Sequence, residues 1–347
     1  MSIHVTIPPL AKQKGTEVSR YVDTLTKPQG SLGRLEEIAI TLAEMTGESF
    51  PSVMPPGVIV FAADHGIAKE GVSAFPQEVT SQMVYNFLTG GAAINVFSRQ
   101  IEAKFKIIDI GVANDIDGEG LVNRKIKYGT ANFLQQDAMS RTEAEQAVKV
   151  GYEEAEKFIK DGVKCLILGE MGIGNTTTSS AILAVLTDEN VAEIVGHGTG
   201  ISDDGKIKKI EAIKQGIVKR NPNSTEVYDI LSKIGGLEIA GMTGAMLAAA
   251  HHRVPILVDG FICTIAACLA KVIDPAVVDY MIVGHQSVEP GHKIAIEFLG
   301  KRPLVNLGLR LGEGSGAAVA FPIVKSATLM LKEMATFTQA GVSNKKE

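Results

Sequence analysis

Short apolar runs alternate along this chain with longer stretches whose apolar positions recur at helical spacing. Residues 58–63, 105–110, 163–168, 255–258, 278–283 and 304–307 are rich in branched residues and lack polar alternation, the pattern of strands buried on both faces of a parallel sheet. Between them, residues 142–160 place Ala144, Ala147, Val148, Gly151, Ala155 and Phe158 on one helical face. Val79, Met83 and Phe87, then Ala92, Ile94 and Val96, mark two more helices parted by Gly90 and Gly91. Strand, helix and strand in alternation predict an α/β fold: a doubly wound, mainly parallel six-stranded sheet, Rossmann-like, with right-handed crossovers.

The first fifty residues read as helical, with Leu32, Leu35, Ile38, Ala39 and Leu42 at helical spacing after the turn KPQGSLG. Lys27, Gln29, Ser31 and Arg34 in that turn fit either ligand contacts or a capped turn with solvated charges. Residues 111–120 form an acidic stretch of ordinary turn residues.

The most informative stretch is residues 163–181, VKCLILGEMGIGNTTTSSA. A buried strand runs into Gly169, Gly172 and Gly174, and Asn175 or Thr176 is placed to cap the helix that follows. Unpaired amides and the positive dipole end of such a helix favour an anion. Glu170, a carboxylate within this anion-friendly loop, suits a hydroxyl-bearing ligand such as a ribose. The loop is neither a P-loop nor a GxGxxG fingerprint, and its glycines also fit a turn that serves only close packing.

Other expected strands end in Asp64-His65-Gly66, Asp259-Gly260, GHQS and LGEGSG, at the sheet edge where open α/β folds bind ligands. Asp64 and His65 are residue types for metal or acid/base work; no third ligand stands at a diagnostic spacing, and a loop-fixing hydrogen bond fits equally. Gly196, Gly198 and Gly200 open another loop, where Ser202 or Asp203 can cap a helix carrying Lys206, Lys208 and Lys209. Those lysines suit a phosphate clamp or a solvated face. Residues 71–76 form a mildly apolar loop able to fold over a flat ring. Glu313, between Gly312 and Gly314 and flanked by apolar residues, should be desolvated enough to act as a general base, or it could simply face a helix dipole.

Composition narrows the class. A chain of 347 residues, 45% hydrophobic and 5% aromatic, with 36 Gly and no Trp, matches an α/β enzyme built as one large domain with an appendage or as two domains. A net charge of -5 argues against nucleic acid as a partner. Cys165, Cys263 and Cys268 lie in apolar runs without metal spacing, as buried thiols of a reducing compartment do. No basic-then-apolar leader is present, and Arg253, Asp259 and Lys325 interrupt the longest apolar stretches. A cytoplasmic protein that does not enter the membrane is expected.

The segments FAADHGIAKEGVSAFPQEVTSQMVYNFLTGGAAINV, LGEMGIGNTTTSSAI, GHGTGISDDG, AGMTGAMLAAA, VDGFICTIAA, GHQSVEPGH and LGLRLGEGSGAAVAFP, in this order, closely resemble the nicotinate-nucleotide:dimethylbenzimidazole phosphoribosyltransferase (CobT) family. The resemblance implies transfer of phosphoribose from nicotinate mononucleotide to dimethylbenzimidazole, giving α-ribazole 5'-phosphate and nicotinate, with inversion at the anomeric carbon. By the same matching, Glu313 is the general base and Glu170 lies at the reacting centre. Gly172, Gly174, Asn175, Thr176, Thr177, Lys209 and Ser287 hold the phosphoribosyl group, and Ser73, Gln82 and Leu311 wall the benzimidazole pocket. The resemblance also implies a homodimer, no metal and no cofactor. It implies a small helical domain from residues 1–50 and 330–347 beside a catalytic domain of residues 51–329. Two other readings use the same loops: a different phosphoribosyl-transferring or nucleotide-hydrolysing enzyme, and a non-catalytic binder.

Overall fold

The computed structural model describes residues 5–198 and 200–343. Residues 1–4 and 344–347, the tips of the expected terminal domain, and Thr199 of the GHGTG loop lie outside the described residues. Six strands, β1 (Pro56–Ala63), β2 (Lys104–Gly111), β3 (Leu121–Asn123), β4 (Cys165–Met171), β5 (Ile256–Val258) and β6 (Met281–Val283), form one sheet. Its order is β3-β2-β1-β4-β5-β6 and every pairing is parallel. The chain therefore winds outward from β1 in one direction and from β4 in the other. The crevice between the carboxyl ends of β1 and β4 is the switch point at which such sheets bind ligands.

The sheet carries helices on both faces because its central strands have no polar side to show water; every residue of β1 is buried. Helix Arg141–Lys160 lies against helix Leu237–His251, whose AGMTGAMLAAA run is buried throughout. A Cβ on Gly151 would collide with the backbone of Gly241, so small residues set how closely these helices approach. The chain ends meet: helices Lys12–Val22 and Arg34–Thr46 pack together, and the C-terminal helix Ser315–Glu333 packs on the second. Thr26 N donates to Ala335 O at 3.0 Å and Phe337 N to Thr24 O at 2.9 Å. Residue 330 falls inside helix Ser315–Glu333, which runs unbroken from the sheet edge to the terminal helices.

Three expectations from the pattern are corrected. Residues 304–307 are not a strand; between Pro303 and the left-handed Gly308 there is room for one bridge only, His285 to Val305. The sixth strand is β3, whose three residues are too few to show a pattern. Residues 275–280 form a 3-10 helix, leaving β6 only Met281–Val283. Strand β4 continues to Met171, so Gly169 and Glu170 belong to the sheet, with Glu170 paired to Phe61, and not to the loop. Among the described residues no helix is long and apolar enough to cross a membrane.

Candidate active site

The strand-end loops converge on a cavity of about 350 Å³ at the carboxyl edge of the sheet. Its floor and walls come from the end of β4, the Asp259-Gly260 turn after β5, the GHQS loop after β6, and residues 310–313. Two open clefts of similar volume elsewhere are lined by surface charges already paired, such as Arg34 and Arg302 with Glu37, and Arg124 with Glu153.

Glu313 owes its place to its two glycine neighbours. It stands at φ +64° between Gly312 at φ +93° and Gly314 at φ +90°, a left-handed run that lets the chain fold back against the sheet. The Glu313 carbonyl then packs on Gly169, where a Cβ would overlap it. The side chain, 6% exposed, accepts from Ile94 N at 3.2 Å, at the amino end of helix Ala93–Gln100. Burial raises its pKa, the negative charge of Asp259 adds to the rise, and the Ile94 bond opposes it.

Glu170 reaches the cavity from β4 and accepts from Asn175 Nδ2. Asn175 therefore ties down Glu170 and does not cap its helix; the cap position is Gly174, with no side-chain bond. Burial, reinforced by the charges of Glu238 and Asp259, pushes the Glu170 carboxyl up to about 8. A Cβ on Gly312 would strike Glu170 Oε1, so the two candidate carboxylates sit on adjoining backbone. Asp259 braces this corner, accepting from Ala317 N at 2.8 Å and Gly314 N at 3.3 Å, with His285 Nε2 at 3.5 Å. His65 is fully buried, 2.6 Å from Glu238 Oε1 and 2.9 Å from Thr178 Oγ1, a loop-fixing arrangement.

An anion-receiving corner lies opposite. Helix Asn175–Thr187 starts there without a side-chain cap; Asn175 N and Thr177 N donate to Gly172 O and Gly174 O, so what the helix offers an anion is chiefly its positive dipole end. Lys209 is buried, with Nζ donating to Thr176 Oγ1 at 2.8 Å, whereas Lys208 on the same helix is exposed. Burial lowers the Lys209 pKa to about 8 against the pull of Glu289. Ser202 caps this helix, accepting from Gly205 N. Ser287 is buried at the cavity wall.

Of the residues singled out in the sequence, Glu170, Gly172, Asn175, Thr176, Ser287, Leu311 and Glu313 line the cavity. Lys209 stands behind Thr176, Gly174 is the amino-cap residue of the helix, and Thr177 is buried within it. Ser73 and Gln82 do not line it; Ser73 Oγ accepts from Phe75 N and Gln82 is exposed, while Phe75, Val79 and Met83 form that wall. Sequence reading assigned no role to His285 or Arg310, and noted Asp259 only as a strand end. Position at a strand end beside glycine was the available signal for Asp259, and three-residue spacing from Glu313 for Arg310. Among the described residues no group of three or more His, Cys, Asp or Glu is arranged to hold a metal ion.

A family model described as phosphoribosyltransferase matches residues 7–342. A nicotinate-nucleotide–dimethylbenzimidazole phosphoribosyltransferase of Halalkalibacterium halodurans is 55% identical over 327 residues, 94% of this chain and 92% of that protein. One from Chloroflexus aggregans is 52% identical, over 98% of this chain and 97% of its own. The crystal structure of CobT from Thermus thermophilus superposes with a TM-score of 0.92 at 41% identity, covering 96% of this chain and 100% of that one.

Proposed function

Because the chain belongs to the nicotinate-nucleotide–dimethylbenzimidazole phosphoribosyltransferase family, we propose that its cavity transfers phosphoribose from nicotinate mononucleotide to dimethylbenzimidazole, a step of cobalamin synthesis. The observation that carries the mechanism is Glu313, a carboxylate buried at the cavity wall beside Glu170 with its pKa raised by that burial.

The nucleotide's phosphate sits at the amino end of helix Asn175–Thr187, near Lys209 and Ser287. This leaves the ribose over Glu170. As the bond from the anomeric carbon to the pyridinium nitrogen breaks, its electron pair neutralises that nitrogen and nicotinate leaves. One benzimidazole nitrogen bonds to the anomeric carbon from the opposite face, which inverts it. Positive charge develops on the ribose meanwhile, and the ionised form of Glu170 stabilises it. Glu313 takes the proton from the other benzimidazole nitrogen, a role favoured by a pKa lifted toward neutrality. Phe75, Val79, Met83 and Leu311 offer the apolar walls that hold the flat acceptor ring in line. The route uses only the two substrates and these side chains.

Several features of the whole molecule complete the reading. Of the terminal segments, the described residues 5–50 and 330–343 serve as a small helical unit beside the catalytic residues 51–329, and two copies form a homodimer that sedimentation would detect. The reaction belongs in the cytoplasm, in keeping with three buried free thiols.

The test is a chromatographic product assay with nicotinate mononucleotide and dimethylbenzimidazole, comparing wild type with Glu313→Gln. Wild type should release nicotinate only when the acceptor is present, and the variant should turn over about a hundredfold or more slowly. Release without acceptor would indicate hydrolysis, and wild-type turnover in Glu313→Gln would refute the base.

A further inference from the structure

The cavity is short of positive charge for a ligand bearing a phosphate. Its lining carries the carboxyls of Glu170, Asp259, Glu289 and Glu313, and among the described lining residues Arg310 is the one lysine or arginine. Lys209 stands a layer behind, bonded to Thr176. Desolvation loosens its hold on its proton, whereas a guanidinium stays charged throughout the working pH range.

Arg310 lies where an anion would need it. Its Nη1 donates to the carbonyl of Gly198 at 3.3 Å. Gly198 in turn borders the phosphate corner: a methyl group on it would lie 3.2 Å from Thr176 Oγ1 and 3.5 Å from Lys209 Nζ. Gly198 is thus approached by Arg310, from residues 306–312, and by Lys209, from helix Asp203–Arg220, with its partner Thr176. The arginine side chain is exposed apart from this contact, so it can turn from the carbonyl to a stronger, charged acceptor at little cost.

We propose that Arg310 is a second cationic ligand of the donor's phosphate, joining Lys209 beside Gly198. This rests on the transferase reading above. Together the two cations meet a dianion that neither would hold alone in a cavity with four carboxyls.

The test measures steady-state kinetics of wild type, Arg310→Gln and Arg310→Lys, varying nicotinate mononucleotide and dimethylbenzimidazole separately. Arg310→Gln should raise KM for the nucleotide about tenfold or more, the scale of a lost hydrogen bond between charged groups, and leave KM for dimethylbenzimidazole unchanged. Arg310→Lys should recover part of the loss. An unchanged nucleotide KM overturns the proposal. So does an equal rise in both constants, because that marks a disturbed loop and not a lost phosphate contact. Wild type that transfers nothing would instead sink the transferase reading, a result distinguishable from either.

Discussion

The crossing of Gly169 and Glu313 invites a direct test, because one methyl group there should reach the chemistry. Gly169 lies in β4, paired with Val60 of β1 at the middle of the sheet, so its backbone has nowhere to retreat. A Cβ at this position falls short of ordinary van der Waals contact with Glu313 O, near 3.4 Å, by more than about 1 Å. The strand is held on both sides, and the loop carrying Glu313 is the element that must move. Displacing a catalytic group by about 1 Å costs on the order of a hundredfold in rate. Gly169→Ala should therefore lower kcat by about that factor, while overpacking destabilises the fold by about 1–3 kcal/mol. Nicotinate release with saturating substrates measures the first effect and urea unfolding the second. The double variant Gly169→Ala/Glu313→Gln adds a sharper readout: if the proposed base is already gone its misplacement hardly matters, so the losses should not add. Near-wild-type turnover in Gly169→Ala, or full additivity with Glu313→Gln, would refute the link between this crossing and the position of the base.

Three further outcomes are expected. Lys209→Ala should raise KM for nicotinate mononucleotide about tenfold or more with a smaller change in kcat, and an unchanged constant would count against its phosphate contact. Asp259→Ala removes the acceptor of two buried amides, Gly314 N and Ala317 N, and should destabilise the protein by about 1–3 kcal/mol for each amide left unpaired, as read by denaturant titration. Burial lifts the Glu170 carboxyl from 4.5 to about 8, so the folded state binds its proton more tightly than the unfolded chain does. Its contribution to stability is complete below about pH 4.5 and lost as pH rises through about 8. Glu170→Gln should then show a shallower fall in Tm from pH 5 to pH 8 than wild type, and parallel profiles would contradict that protonation state.

The layering of this protein was legible in its residues. The run of residues 58–63 is apolar on both faces, and only a parallel sheet sandwiched by helices hides such a strand from water on each side. The burial of Glu313 was legible too, because a carboxylate between two glycines amid apolar neighbours is poorly placed to meet water. Shorter elements were not: β3 offers three residues, and residues 304–307 look like a strand until Pro303 and Gly308 limit them to one bridge.

What tertiary structure alone decided are the relations between segments far apart in the chain. Glu170 read as a loop residue because glycines surround it, yet pairing with Phe61 draws it into the sheet, since each added backbone bond to β1 stabilises a longer strand. Lys209 and Lys208 are indistinguishable as neighbours on a helix; one is buried against Thr176 and the other exposed, because packing chooses which face points inward. Phe75, Val79 and Met83 form the cavity wall where Ser73 and Gln82 were expected, an outcome of which face helix Val79–Thr89 turns toward β4. Residue types and spacing determined which chemistry the loops can offer. The pKa of Glu170, the reach of Arg310 and the crossing at Gly169 depend on desolvation and contact, and those exist only once the chain has folded.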